Sequence, residues 1–99
     1  MARIELVPEV FEDYERFFRH MAQFDTADPP ARIGEILLQI EILADNPRLG
    51  RRVRAGKREL VVGEVARGYV ALYRFEPDLD IVFILAVRSQ RELGYRYER

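Results

Sequence analysis

The sequence predicts an α+β domain in which a helical hairpin covers one face of a mostly antiparallel sheet. Two segments carry apolar residues at three- and four-residue steps and are separated by a short proline-containing break. Three later segments are rich in β-branched and aromatic residues, with turn signals between them. The chain has 99 residues and neither internal repeats nor low-complexity tracts, so residues 1–99 are read as one domain around one core.

Each element has a local reason. Residues 3–6 alternate weakly and stop at Val7-Pro8, which makes a short first strand. Pro8 suits the first turn of a helix, where its missing N–H is not needed, and Glu9, Glu12 and Asp13 favour the positive end of the helix dipole. Val10, Phe11, Tyr14, Phe17, Phe18, Met21 and Phe24 then recur as one apolar helix face and are expected in the core. "DTADPP" breaks that helix, with Asp28 as N-cap and Pro29 at the first helical position of the next. The second helix carries Ile33, Ile36, Leu37, Ile40, Leu43 and Ala44 on one side until Asn46-Pro47 stops it. "RLGRRVRAGKR" has six bases, two glycines and little periodicity, and reads as a surface loop. Strands follow at residues 59–62, 69–75 and 81–87. The last of these, "IVFILAV", is apolar at every position, as expected of a central strand covered on both faces. A short C-terminal helix or tail closes the chain.

Composition excludes several chemistries. There is no cysteine, so disulfides, zinc-thiolate clusters and thiol nucleophiles are absent. The one histidine, His20, lies in "FFRHMAQF" and reads as a helix-surface or boundary residue, which leaves almost nothing for a histidine metal site or a serine–histidine triad. No metal and no cofactor is expected. The N-terminus has no basic region followed by an apolar run, and no stretch approaches the roughly 20 apolar residues of a membrane span, so the expected location is the cytoplasm.

Charge is unevenly divided. Residues 1–47 hold ten acids against four bases, and residues 48–99 hold seven acids against twelve bases. All the bases but Lys57 are arginine, whose planar fork of donors suits phosphate and carboxylate. A nucleic acid or an acidic protein segment fits such a basic half, as does a solvated face with no partner. If "RSQRELGYRYE" is helical, Arg88, Arg91 and Tyr95 share one face; Gly94 weakens a continuous helix and leaves an irregular tail as the alternative. Arg74 shares a side of its strand with Val70 and Leu72, and Arg58 opens the strand after the basic loop. Arg58, Arg74, Arg88, Arg91 and Tyr95 are therefore expected to converge on one concave surface near the sheet end. The alternative is that Arg74 and Arg88 are spent in rim ion pairs with Glu59, Glu64, Glu76 or Glu92.

The succession "NPRLGRRV", "KRELVVG", "GYVALYRF" and "DIVFILAVRSQRELGY" resembles the ParE/RelE superfamily of type II toxin–antitoxin toxins, often labelled plasmid stabilisation proteins. The resemblance spans nearly the whole chain and rests on order and spacing rather than on one motif. It implies the RelE/ParE-like fold and a small toxin held inactive by a cognate antitoxin, with a homodimer or a toxin–antitoxin hetero-oligomer as possible assemblies. Two target classes occur in the superfamily: ParE-like members poison DNA gyrase, and RelE-like members cut messenger RNA on the ribosome without a metal. For the ribonuclease, Arg58, Arg91 and Tyr95 match the basic strand position and the C-terminal arginine and tyrosine. The chain departs from that branch at Val70, where the branch carries an arginine after the tyrosine of "GY", and in the shorter spacing from Arg91 to Tyr95. Arg74 is displaced from Val70 by four strand residues, about 13 Å, and does not replace that arginine. Arg74, Arg88, Arg52, Arg54 and Tyr73 are the expected contacts to target or antitoxin. The resemblance implies a gyrase inhibitor first, a ribonuclease as the alternative, and an antitoxin-binding protein of the same fold with little activity as a third reading.

Overall fold

The computed structural model describes residues 1–23, 29–62 and 68–89. The expected N-cap at Asp28, the core position of Phe24 and the C-terminal element with Arg91, Gly94 and Tyr95 fall outside them, as do the side chains of His20 and Met21. The element order is β1 (Arg3–Leu6), α1 (Pro8–Gln23), α2 (Pro29–Ile40), a 3₁₀ turn (Glu41–Ala44), β2 (Arg51–Arg52), a second 3₁₀ turn (Arg54–Gly56), β3 (Arg58–Val62), β4 (Tyr69–Glu76) and β5 (Ile81–Ser89). The five strands form one sheet in the order β1-β5-β4-β3-β2; β1 runs parallel to β5 and every other pair is antiparallel. The fold is α+β, consistent with the ParE/RelE toxin fold.

One face of the sheet packs under the helices. Val10, Tyr14 and Phe17 of α1, Ile36 and Ile40 of α2, and Leu43 of the 3₁₀ turn meet Val62, Ala71, Tyr73, Val82, Ile84 and Val87 from the strands in one buried cluster. The apolar face of α1 is narrower than its periodicity predicts. Phe11 and Phe18 are 55 % and 44 % exposed, because they sit about 100° around the helix from Val10 and Phe17. The second helix also ends earlier than expected, tightening into the 3₁₀ turn before Asn46, whose amide and side chain both donate to the Ile42 carbonyl.

The basic segment is not simply a loop. It forms β2 and a hairpin turn onto β3, with Arg51 opposite Glu59 and Arg52 opposite Arg58. Ala55 and Gly56 both take left-handed backbone, at φ 61° and 72°, while the Lys57 N–H reaches back to the Arg54 carbonyl at 3.3 Å. Two left-handed residues inside such a bond have the form of a tight hairpin turn, and this conformation leaves no hydrophobic pattern in the sequence.

Candidate functional site

The site begins at a glycine. Gly50 donates its N–H to the Tyr73 hydroxyl at 2.8 Å, and Arg58 Nη1 donates to the Gly50 carbonyl at 2.9 Å and the Arg48 carbonyl at 3.1 Å. A Cβ on Gly50 would lie 2.6 Å from Tyr73 Cε1 and 2.7 Å from the Glu59 carbonyl oxygen, so only glycine fits between β3 and the Tyr73 ring. Burial pushes the Tyr73 hydroxyl above its ordinary 10.0, an effect opposed by the Gly50 hydrogen bond and the Arg58 charge. Tyr73 is 0 % exposed and has no surface to offer a target or antitoxin; it anchors the segment that leads into the basic hairpin.

Alternation along the strands then divides the arginines between the two faces. Arg58 lies opposite Tyr73 and Arg52 lies opposite Arg58, so both stand on the helix-covered side. Arg48 joins them by stacking its guanidinium 4.9 Å over the Phe75 ring. Arg74 lies opposite Phe83 and Arg88 opposite Val70, on the other side of the sheet, where Val70, Leu72 and Ala86 are buried as well. Those two are four strand positions apart, about 13 Å. The expected convergence of Arg58, Arg74 and Arg88 is thus corrected: the pleat sends Arg58 to the opposite face, and strand length separates the other two. Arg91 and Tyr95 lie outside the described residues. Arg54 is exposed at the hairpin, and Arg74 Nη1 sits beside it, 3.2 Å from where a Cβ on Gly56 would fall.

Neutralisation differs between the faces. Glu59 pairs with Arg51 at 2.7 Å, and Arg74 Nε lies 3.9 Å from the Glu76 carboxylate. Arg88 Nη1 donates to the Ser89 carbonyl at 3.2 Å. Arg48, Arg52 and Arg58 have no carboxylate partner among the described residues. Like charges directly opposite on neighbouring strands repel, so the Arg52–Arg58 pair is kept at a cost to the free chain. No three acidic or histidine side chains gather among the described residues in a way that would hold a metal ion.

Two α1 residues were not read from the sequence as site-forming. Asp13 is 1 % exposed; its Oδ2 accepts the Val87 N–H at 3.0 Å and its Oδ1 accepts Arg16 Nη1 at 2.9 Å. The signal was present, since residues 10, 13, 14 and 17 share one helix face and a carboxylate occupies the second place. Tyr14 is buried beside it, its hydroxyl lacks a hydrogen-bond partner among the described residues, and burial, then the Asp13 charge, push its pKa up to about 12.

Similarity to known proteins agrees with this fold. A family model described as the ParE toxin of the type II toxin–antitoxin system parDE matches residues 4–94. Toxin RelE3 of Caulobacter vibrioides is 34 % identical over 82 residues, which cover 83 % of this chain and 89 % of that protein. With both the match across nearly its whole length and the helical hairpin on a five-stranded mixed sheet, the chain belongs to the ParE/RelE superfamily of type II toxin–antitoxin toxins.

Proposed function

We propose that this toxin acts by binding rather than by chemistry, as a ParE-like inhibitor of DNA gyrase in the cytoplasm, a single domain over residues 1–99 neutralised by a cognate antitoxin. The observation that carries this reading is the commitment of Arg58 to two backbone carbonyls. A ribonuclease would need that guanidinium aimed at a scissile phosphate, where it could stabilise developing charge. Val70, at the position where the ribonuclease branch carries an arginine, is buried, and Tyr73 and Tyr14 are buried phenols with raised pKa values. What the described surface offers is recognition. It presents Arg52 and Arg54 at the hairpin, half-buried Arg74 and Arg88 on the side away from the helices, and exposed apolar side chains on both helices, Phe11 and Phe18 on α1 and Leu38 on α2. Exposed apolar side chains and arginines on one small domain suit an antitoxin segment that supplies apolar contacts and carboxylates.

The second reading, a RelE-like metal-independent endoribonuclease using Arg91 and Tyr95 with Arg58, is favoured by the similarity to a protein named Toxin RelE3. Expression of the chain from a tightly controlled promoter, with plasmid supercoiling and primer extension on a reporter message scored from one culture, separates the two. Relaxed plasmid or DNA breaks with intact message is the expected result. New message ends that require translation would establish the ribonuclease instead. Growth without either lesion would leave an antitoxin-binding protein of the same fold.

A further inference from the structure

The last strand of the sheet outruns its parallel neighbour. β1 accompanies β5 only as far as Leu6 opposite Ile84, and the final bond between them runs from the Val7 N–H to the Ile84 carbonyl at 3.1 Å. The chain then turns into α1 at Pro8, while β5 continues to Ser89. On the side that β1 has vacated, a backbone donor of β5 needs some other acceptor. Asp13, one turn into α1, supplies it: Oδ2 takes the Val87 N–H at 3.0 Å inside the core.

That bond sits next to a break in register. Leu72 faces Ala86 and Tyr73 faces Ile84, so Leu85 is an extra residue in β5. Ile84 and Val87 are three residues apart yet both are buried in the cluster under the helices, which a regular alternating strand forbids. The bulge also decides where Arg88 goes. In an unbroken strand residue 88, four beyond Ile84, would share the face of Ile84 and point under the helices. With the bulge it stands opposite Val70 on the side away from the helices, the side of Arg74.

We propose that Asp13 is the positioning residue that locks the bulged register of β5 and thereby holds Arg88 on the face of the sheet away from the helices. The carboxylate accepts from Val87 through Oδ2, while Arg16 Nη1 donates to Oδ1 at 2.9 Å without taking part in the bond to the strand. The functional consequence rests on the binding role proposed above; the register lock does not.

The test uses the full chain with Asp13→Asn, Asp13→Ala and, for the other oxygen, Arg16→Met. NMR reads the cross-strand NOEs that join Ala71 to Val87 and Val70 to Arg88, together with amide exchange at Val87; growth arrest on expression reads function. Asp13→Asn keeps a carbonyl acceptor and is expected to retain the NOEs, slow Val87 exchange and growth arrest, as is Arg16→Met. Asp13→Ala is expected to lose the NOEs, speed Val87 exchange at least about tenfold over the β4 amides, and lose growth arrest. Retention of the NOEs in Asp13→Ala, or their loss in Asp13→Asn, overturns the proposal. If Asp13→Ala does not fold, the Asn variant still decides. If the parent chain itself fails to arrest growth, the gyrase-inhibitor reading fails while the NOEs judge the register lock separately.

Discussion

Gly50→Ala isolates the clamp that seats the basic hairpin. The added carbon would fall 2.6 Å from Tyr73 Cε1 and 2.7 Å from both the Tyr73 hydroxyl and the Glu59 carbonyl oxygen. Carbon atoms pack best at about 3.5–4.0 Å, so the overlap is about 1 Å against the ring. Neither neighbour yields easily, since Tyr73 is fully buried and the Glu59 carbonyl belongs to β3. Relief must come from residues 48–50 moving off β3. That movement breaks the Gly50 N–H bond to Tyr73 and both Arg58 bonds to this segment. Overpacking of this kind costs about 1–3 kcal/mol. Leaving the Tyr73 hydroxyl and the Gly50 amide unsatisfied adds about 1–3 kcal/mol. The smaller entropy of the unfolded alanine chain returns about 0.4–1 kcal/mol, so a net loss of about 3 kcal/mol is expected, a large share of a small domain's stability. Urea unfolding followed by circular dichroism should show the midpoint falling by about 2 M for an m-value of about 1.5 kcal/mol/M. A fall under about 0.5 M would mean that the clamp closes as readily around alanine, and that Arg58 is not held where we place it.

The remaining predictions concern the other features named above. Gly34, inside α2, has open space around it, with nothing within 4 Å of where a Cβ would fall, so Gly34→Ala should stabilise by about 1 kcal/mol in the same unfolding assay, opposite in sign to Gly50→Ala. Ala55 holds φ 61°, which costs an L-residue about 1–2 kcal/mol, and Ala55→Gly should recover about 0.5–1 kcal/mol of it after the extra freedom of unfolded glycine is counted. Tyr14→Phe removes a buried hydroxyl without a partner among the described residues and should stabilise by about 1 kcal/mol at pH 7. The Tyr14 pKa is raised from 10.0 to about 12 in the folded chain, so the folded state keeps a proton that the unfolded state has lost. Stability from this group is therefore complete below pH 10 and falls as pH rises toward 12, and Tyr14→Phe should flatten that alkaline limb in urea midpoints measured from pH 9 to 12. Arg52→Glu places opposite charges where like charges face each other, and should stabilise the free chain by about 0.2–1 kcal/mol while weakening growth arrest or antitoxin capture.

What the sequence revealed and what it hid follow from how each feature is encoded. Both helices were legible because their apolar residues repeat with the helical period, Pro8 and Pro29 mark helix starts directly, β1 showed a weak alternation, and the three longer strands stood out by β-branched and aromatic residues between turn signals. β2 was hidden because two arginines have no strand pattern; its pairing is imposed by the wedge at Gly50 and the left-handed turn at Ala55 and Gly56. The bulge at Leu85 was hidden for the opposite reason. A run that is apolar at every position has no alternation in which a slipped residue could show. The convergence of arginines failed at the same point, since assigning a face to Arg58 required its register against Tyr73, and register is a property of two strands. Asp13 resembled an ordinary acid near a helix start, although its place between Val10 and Phe17 marked it as inward-facing.

The division of arginines between faces bears on how one small domain can meet two partners. Arg48, Arg52 and Arg58 stand on the helix side without a carboxylate among the described residues, and Arg74 and Arg88 stand on the side away from the helices. A rigid partner docking on one face meets only one of these sets, because the sheet lies between them. A flexible segment can reach both by wrapping the short β2 edge, where Arg51–Arg52 is the last strand and the hairpin turn holds Arg54 exposed. Folding on binding lets such a segment cover large surfaces at modest affinity per unit area, which is the thermodynamic character expected of an antitoxin tail. A globular target is confined to one side. The face on which an arginine replacement abolishes growth arrest while leaving antitoxin capture intact is therefore the target face. The register held at Val87 by Asp13 assigns Arg88, with Arg74, to the one away from the helices.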